Sequence, residues 1–108
     1  IKAMTDGQWA VTNFVYNGTN ITTDFSGYKF KYHNNPKKVD AIKNGTTEIT
    51  GDWGGNSSDN TTWANFTGSV NPITLINGTW NITRNSWTYV EASQTNGSET
   101  KIMRLDKQ

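Results

Sequence analysis

The residues able to do chemistry are few. The 108-residue chain has one histidine, His33, and no cysteine. A histidine acting as general base needs an orienting carboxylate and a nucleophile within hydrogen-bond reach. No carboxylate pair recurs at a fixed spacing, so His33 reads as an exposed residue beside a turn and no catalytic residue is nominated. Without cysteine neither a disulfide nor a thiolate metal site can form, and a lone histidine leaves no usual zinc motif. Asp52, Asn56, Asp59 and Asn60 offer hard oxygens suited to Ca²⁺. Their spacing is irregular and no glutamate closes the shell, so the stretch reads as an Asx-rich turn, with no metal site and no cofactor expected. No glycine-rich loop precedes a helix to cradle phosphate.

Lys29, Lys31, Lys37 and Lys38 gather near Tyr28 and Tyr32, a mixture that also marks single-strand nucleic-acid platforms. Alternation along a strand puts the rings on one face and Lys29 and Lys31 on the other, which places rings in the core and lysines in solvent. A formal charge of +1 gives no long-range field toward nucleic acid or an anionic membrane. The tryptophans are the sharpest functional hint. Trp53, Trp63, Trp80 and Trp87 are more than one small core floor requires, and planar rings beside Asn and Asp suit stacking on sugars or flat apolar molecules. The plainer reading is that they replace missing Leu and Val. The rings nominated to touch a ligand are Tyr28, Phe30, Trp53, Trp63 and Trp80.

The elements that must position them are strands. Only 18% of residues are charged and 32% hydrophobic, yet five Trp, four Tyr and four Phe supply enough buriable area to argue against disorder. The length suits one domain, residues 1–108, with a single aromatic core. No segment has a convincing helical period, and eight strands are expected at short intervals. They run over about 8–16, 24–33, 38–43, 48–53, 61–67, 79–84, 87–92 and 99–105. Asn17-Gly18, Asn44-Gly45 and Asn96-Gly97 are strong hairpin turns, and Asn34-Asn35-Pro36 stops the second strand. The faces of the fifth strand are ambiguous, with Trp63 and Asn65 on one side and Ala64 and Phe66 on the other. Asn71–Ile76 is too short for a stable helix and reads as a single turn or plug.

Short joins make sequence neighbours antiparallel neighbours in space, and closing the meander removes polar edges that defend poorly against pairing. The fold expected is thus all-β, an eight-stranded antiparallel up-and-down barrel, either open or flattened around a filled interior. Trp9 opens the first strand and is expected to lie across the barrel floor, with Gly7 freeing the angle of the entering backbone.

Three segments carry a family resemblance: Gly7-Gln8-Trp9-Ala10-Val11-Thr12-Asn13-Phe14, Asp24-Phe25-Ser26-Gly27-Tyr28-Lys29-Phe30, and Gly51-Asp52-Trp53. Together they resemble the small lipocalin-like proteins of Bacteroidetes-type bacteria. The resemblance implies a calycin-type barrel, often attached to the outer membrane as a lipoprotein and generally without an assigned activity. True lipocalins also stack an Arg from the C-terminal strand on the first-strand Trp. Arg104 is in the right region, but inward-facing Met103 and Leu105 would turn it out. The chain is shorter than a typical lipocalin and lacks the long C-terminal helix, which argues against a roomy cavity.

Asn-x-Ser/Thr triplets occur at Asn17, Asn20, Asn44, Asn56, Asn60, Asn65, Asn77, Asn81 and Asn96. Asn and Thr are so abundant that chance accounts for them, and Asn65 and Asn81 fall inside expected strands. No apolar run approaches the ~20 residues that span a bilayer. A start at Ile1 fits a processed chain whose targeting segment or lipid anchor lies upstream. The Asn/Thr/Gly-rich, Cys-free surface suits an extracytoplasmic bacterial protein, periplasmic, attached to the outer membrane or secreted. The function expected is a non-enzymatic binding or scaffold domain of the cell envelope, with a small apolar molecule or glycan as ligand. The alternative is a purely structural, adhesin-like or assembly module with a filled core.

Overall fold

Nine strands make a single antiparallel sheet in the computed structural model, which describes residues 2–108. They are β1 (Trp9–Tyr16), β2 (Thr19–Asn20), β3 (Tyr28–Asn34), β4 (Lys37–Lys43), β5 (Thr46–Asn56), β6 (Thr61–Asn65), β7 (Gly78–Asn85), β8 (Tyr89–Asn96) and β9 (Glu99–Lys107). β3 to β9 follow in hairpin order, and β1 closes the ring by pairing with both β9 and β3. β2 is a short extra strand bonded to the end of β1. The expected eight-stranded up-and-down barrel is therefore the fold, and its closure leaves the main strands unpaired only along part of the β1–β3 seam.

Alternation decides what goes inside. Tyr28, Phe30 and Tyr32 of β3 are buried, as are Gly51 and Trp53 of β5, while Lys29 and His33 stay outside. The ambiguity in β6 resolves with Ala64 and the following Phe66 inward, and Trp63 and Asn65 outward. The core is aromatic as expected. Trp9, Phe14, Phe30, Trp53, Phe66 and Trp80 are its largest fully buried side chains. Phe14 stacks on Phe25 at 4.9 Å and meets Trp80 edge-on at 6.0 Å. These are favoured geometries for rings whose faces are electron-rich and edges electron-poor.

Three expectations shift at element ends. The second strand starts at Tyr28 rather than Asp24, because Thr22–Phe25 coils into a 3-10 turn that delivers Phe25 to Phe14. The fourth strand runs on through Gly54 and Gly55 to Asn56, because both glycines pair with β6. Trp87 lies outside the strand assigned to it and is 69% exposed, since β8 starts only at Tyr89. The segment expected as a plug is one: Ile73–Ile76 is a 3-10 turn that buries Ile73 and Ile76.

Each barrel end is shut by a short turn. The 3-10 turn Lys2–Thr5 closes the end where β1 begins, with Met4 buried and its carbonyl accepting the Trp9 indole N–H at 3.0 Å. At the opposite end the Ile76 carbonyl accepts the Trp80 indole N–H at 2.8 Å, and the Leu75 carbonyl accepts Lys101 Nζ at 3.0 Å. Gly7 takes φ +78° between the first turn and β1, the left-handed angle its lack of Cβ permits.

Trp9 has no exposed surface and holds the first turn, so Trp9→Ala should destabilise by about 3–5 kcal/mol out of the ~5–15 kcal/mol typical of a domain. Chemical denaturation measures this. A loss under about 1 kcal/mol would show that the ring is not needed to close the floor.

Candidate functional site

The barrel interior is packed. A cavity between Met4, Tyr32, Ile76, Trp80, Met103 and Leu105 amounts to about 20 Å³. That is room for about one water, far short of the ~300–1,000 Å³ of a ligand pocket.

The five nominated rings do not form one site. Phe30, Trp53 and Trp80 are core residues facing other rings: Phe30 meets Phe66 at 6.4 Å, Trp53 meets Tyr32 at 5.2 Å, and Trp80 meets Phe14. Trp53 also donates its indole N–H to the His33 carbonyl at 2.8 Å. Trp63 lies on the outer surface, because Ala64 and Phe66 claim the inward positions of its segment. Tyr28 alone stands at a margin between core and solvent.

That margin is a cleft where the barrel closes imperfectly. β3 and β4 pair along their full lengths, whereas β1 and β3 share one register pair, Trp9 with Phe30. Beyond it the backbone of Phe14 bonds elsewhere, its carbonyl accepting from Ile21 N and its N–H donating to Thr22 Oγ1. The inserted 3-10 turn thus parts the two strands. The resulting cleft has a volume of about 600 Å³ and is bounded by Ala10 and Val11, by Tyr28 and Lys29, and by Ile42 and Thr47. Phe25 lines it as well, and Gln8, Ser26 and Asn44 supply polar groups. Of this set only Tyr28 is among the rings nominated from the sequence. The one available signal was Asp24–Gly27, which interrupts the alternation that resumes at Tyr28.

Tyr28 donates its phenol O–H to Glu48 Oε1 at 2.6 Å, with Lys43 Nζ 5.1 Å from the ring centre. Burial, reinforced by the Glu48 hydrogen bond and charge, pushes the phenol pKa up to about 12. The phenol is therefore a fixed neutral donor at the cleft margin.

The other candidates sit apart. His33 Nε2 lies 2.9 Å from Asp40 Oδ2, and Thr50 donates to the other oxygen of Asp40 at 2.7 Å. The carboxylate stands between hydroxyl and imidazole, so the order needed to activate a nucleophile, hydroxyl to imidazole to carboxylate, is not met. Asn56 Oδ1 accepts from Ser58 N and Asp59 N, the Asx turn expected, while Asp52 pairs with Lys38 at 2.6 Å. No group of three or more His, Cys, Asp or Glu able to hold a metal occurs among the described residues. The basic patch is dispersed: Lys31 donates to the Gly7 carbonyl, Lys37 to Asn34 with its Nζ 4.9 Å from the Trp53 ring centre, and Lys38 to Asp52.

Arg104 does not stack on Trp9. Met103 and Leu105 point inward, so its guanidinium lies outside, 4.3 Å from the centre of the Tyr89 ring, bidentate on Asp106 and bonded to Glu91 at 3.0 Å. The Arg104 hydrogen bonds hold the Asp106 carboxyl below its ordinary range.

A solved structure shares the fold. It is a DUF4847 family protein from Bacteroides vulgatus, with a TM-score of 0.65 over 99% of this chain and 97% of that one. The likeness is one of fold, since only 13% of residues are identical. No family model matches the sequence, and no curated protein matches it. Among the described residues no helix is long and apolar enough to cross a membrane.

The Tyr28 phenol gives a pH prediction. Its folded pKa stands above the ordinary ~10, so the neutral phenol contributes stability that is fully present below about pH 10 and is lost as pH rises through about 12. The difference in tyrosinate absorbance between the native chain and Tyr28→Phe should have its midpoint near 12. A midpoint near ~10 would mean that the phenol is freely solvated.

Proposed function

We propose that this protein is a non-enzymatic binding domain of the bacterial cell envelope that takes a small, partly apolar molecule into the cleft between β1 and β3. One observation carries the reading: of the interior and the seam, only the seam has volume on the scale of a ligand, about 600 Å³ against about 20 Å³. Val11, Phe25, Tyr28 and Ile42 offer apolar surface there, with Lys29, Gln8 and Asn44 at hand to orient a polar end. The absence of cysteine, the Asn/Thr-rich surface and the likeness of fold to a Bacteroides protein support the envelope setting. A packed interior favours a second reading, the purely structural module, in which the cleft is an incidental gap in the closure.

A fluorescent apolar anion, anilinonaphthalene sulfonate, separates the two. Binding in the cleft predicts saturable emission at one probe per chain, weakened at least about tenfold by Ala10→Phe, a loss of roughly 1.4 kcal/mol. Emission that does not saturate, or that the substitution leaves unchanged, would favour the structural module.

A further inference from the structure

The outer face of the barrel carries a second feature that the cleft does not explain. Trp9, Trp53 and Trp80 are buried and each donates its indole N–H to a backbone carbonyl. Trp63 is 42% exposed, and its N–H makes no hydrogen bond with the described residues. The ring is nevertheless held in place. Trp63 stands opposite Gly54 on β5 and opposite Thr79 on β7. A Cβ at Gly54 would lie 2.4 Å from Trp63 Nε1, 2.8 Å from Cε2 and 3.0 Å from Cζ2. Gly54 faces outward yet is buried, so the ring itself covers it. The glycine thus lets the indole rest against the sheet and leaves its outer side to solvent.

The surroundings are neutral and rich in hydrogen-bonding groups. Two residues along β6 Asn65 pairs with Asp52, whose charge is met by Lys38 at 2.6 Å. On the other side Thr61 pairs with Asn81. The side chains of Thr79 and Asn81 are exposed and make no hydrogen bond with the described residues. A flat indole with a spare N–H, bordered by uncommitted hydroxyl and amide groups, matches a pyranose ring. The sugar presents a face of C–H groups to the electron-rich ring and hydroxyls to the rim. With Lys38 paired, no unpartnered cation stands beside the ring among the described residues, which disfavours a nucleic-acid strand or an acidic sugar.

We infer that Trp63, seated on Gly54 and flanked by Asn65, Thr79 and Asn81, is a docking platform for a neutral glycan chain. The platform lies on β5 to β7, separate from the seam between β1 and β3. The test is titration calorimetry with neutral hexasaccharides of glucose, mannose, galactose and xylose, with hexagalacturonate and a thymidine oligonucleotide as charged comparators. At least one neutral hexasaccharide should bind the native chain, at least about tenfold more weakly to Trp63→Ala and with unchanged affinity to Trp87→Ala. Trp63→Ala gives up the buried part of the ring and uncovers Gly54, so its unfolding midpoint should fall modestly while the chain stays folded, and Ala10→Phe in the seam should leave the glycan affinity unchanged. Gly54→Ala, which forces the ring off its seat, should weaken the same binding. The inference is overturned if no neutral hexasaccharide binds at millimolar concentration, if Trp63→Ala binds as tightly as the native chain, or if only a charged comparator binds.

Discussion

A buried indole must place its N–H, and this constraint organises the barrel. Sinking a tryptophan into an apolar core gains a large hydrophobic area but strands a donor unless a carbonyl meets it. Strand carbonyls are largely committed to the ladder, so the partners come from strand ends and turns. Met4 and Ile76 in 3-10 turns, and His33 near the end of β3, supply them. The turns of Met4 and Ile76 are thereby fixed across the barrel ends. The side chains that fill the core also shut it, and no buried side-chain nitrogen or oxygen lacks a partner among the described residues.

Filling the interior moves any recognition to the outside. A wide barrel with a small-residue interior can hold a ligand within its sheet; here nine buried aromatic residues leave the interior too crowded for that. The same crowding shapes the seam. Phe25 reaches Phe14 only because Thr22–Phe25 coils between β1 and β3, and the coil parts those strands, which share one register pair where each other pair of barrel neighbours shares four or more. The cleft is thus a by-product of core packing that leaves Ala10, Lys29 and Ile42 facing a shared space.

Outside, charges are arranged as local pairs rather than as a field. Lys38 meets Asp52, His33 meets Asp40, Lys107 meets Asp6, and Arg104 meets both Glu91 and Asp106. Exposed pairs of this kind contribute little to stability, typically under ~1 kcal/mol each. Their consequence is a surface of low net potential, on which hydrogen bonding and ring stacking rather than charge would select a partner.

Much of the fold was legible in the sequence because strand alternation and turn chemistry are local. Tyr28-Lys29-Phe30-Lys31-Tyr32 declares its inner face whatever it packs against, and Asn17-Gly18, Asn44-Gly45 and Asn96-Gly97 declare hairpins through residues that tolerate positive φ. Trp9 on the floor followed from the same local logic. The rest depended on which distant residues compete for one volume. Trp63 and Phe66 are both large aromatics in one segment, and only the neighbours across the barrel put Phe66 inside and Trp63 out. Arg104 left Trp9 for Tyr89 because register, set by the whole of β9 against β1 and β8, turned it outward. The cleft had no sequence signature beyond a break at Asp24–Gly27, since a gap between strands belongs to the packing around it. Local backbone preference thus determined that there is a barrel and where its strands lie. Competition for interior space, which no single stretch encodes, decided which rings were left on the surface and where the closure parted.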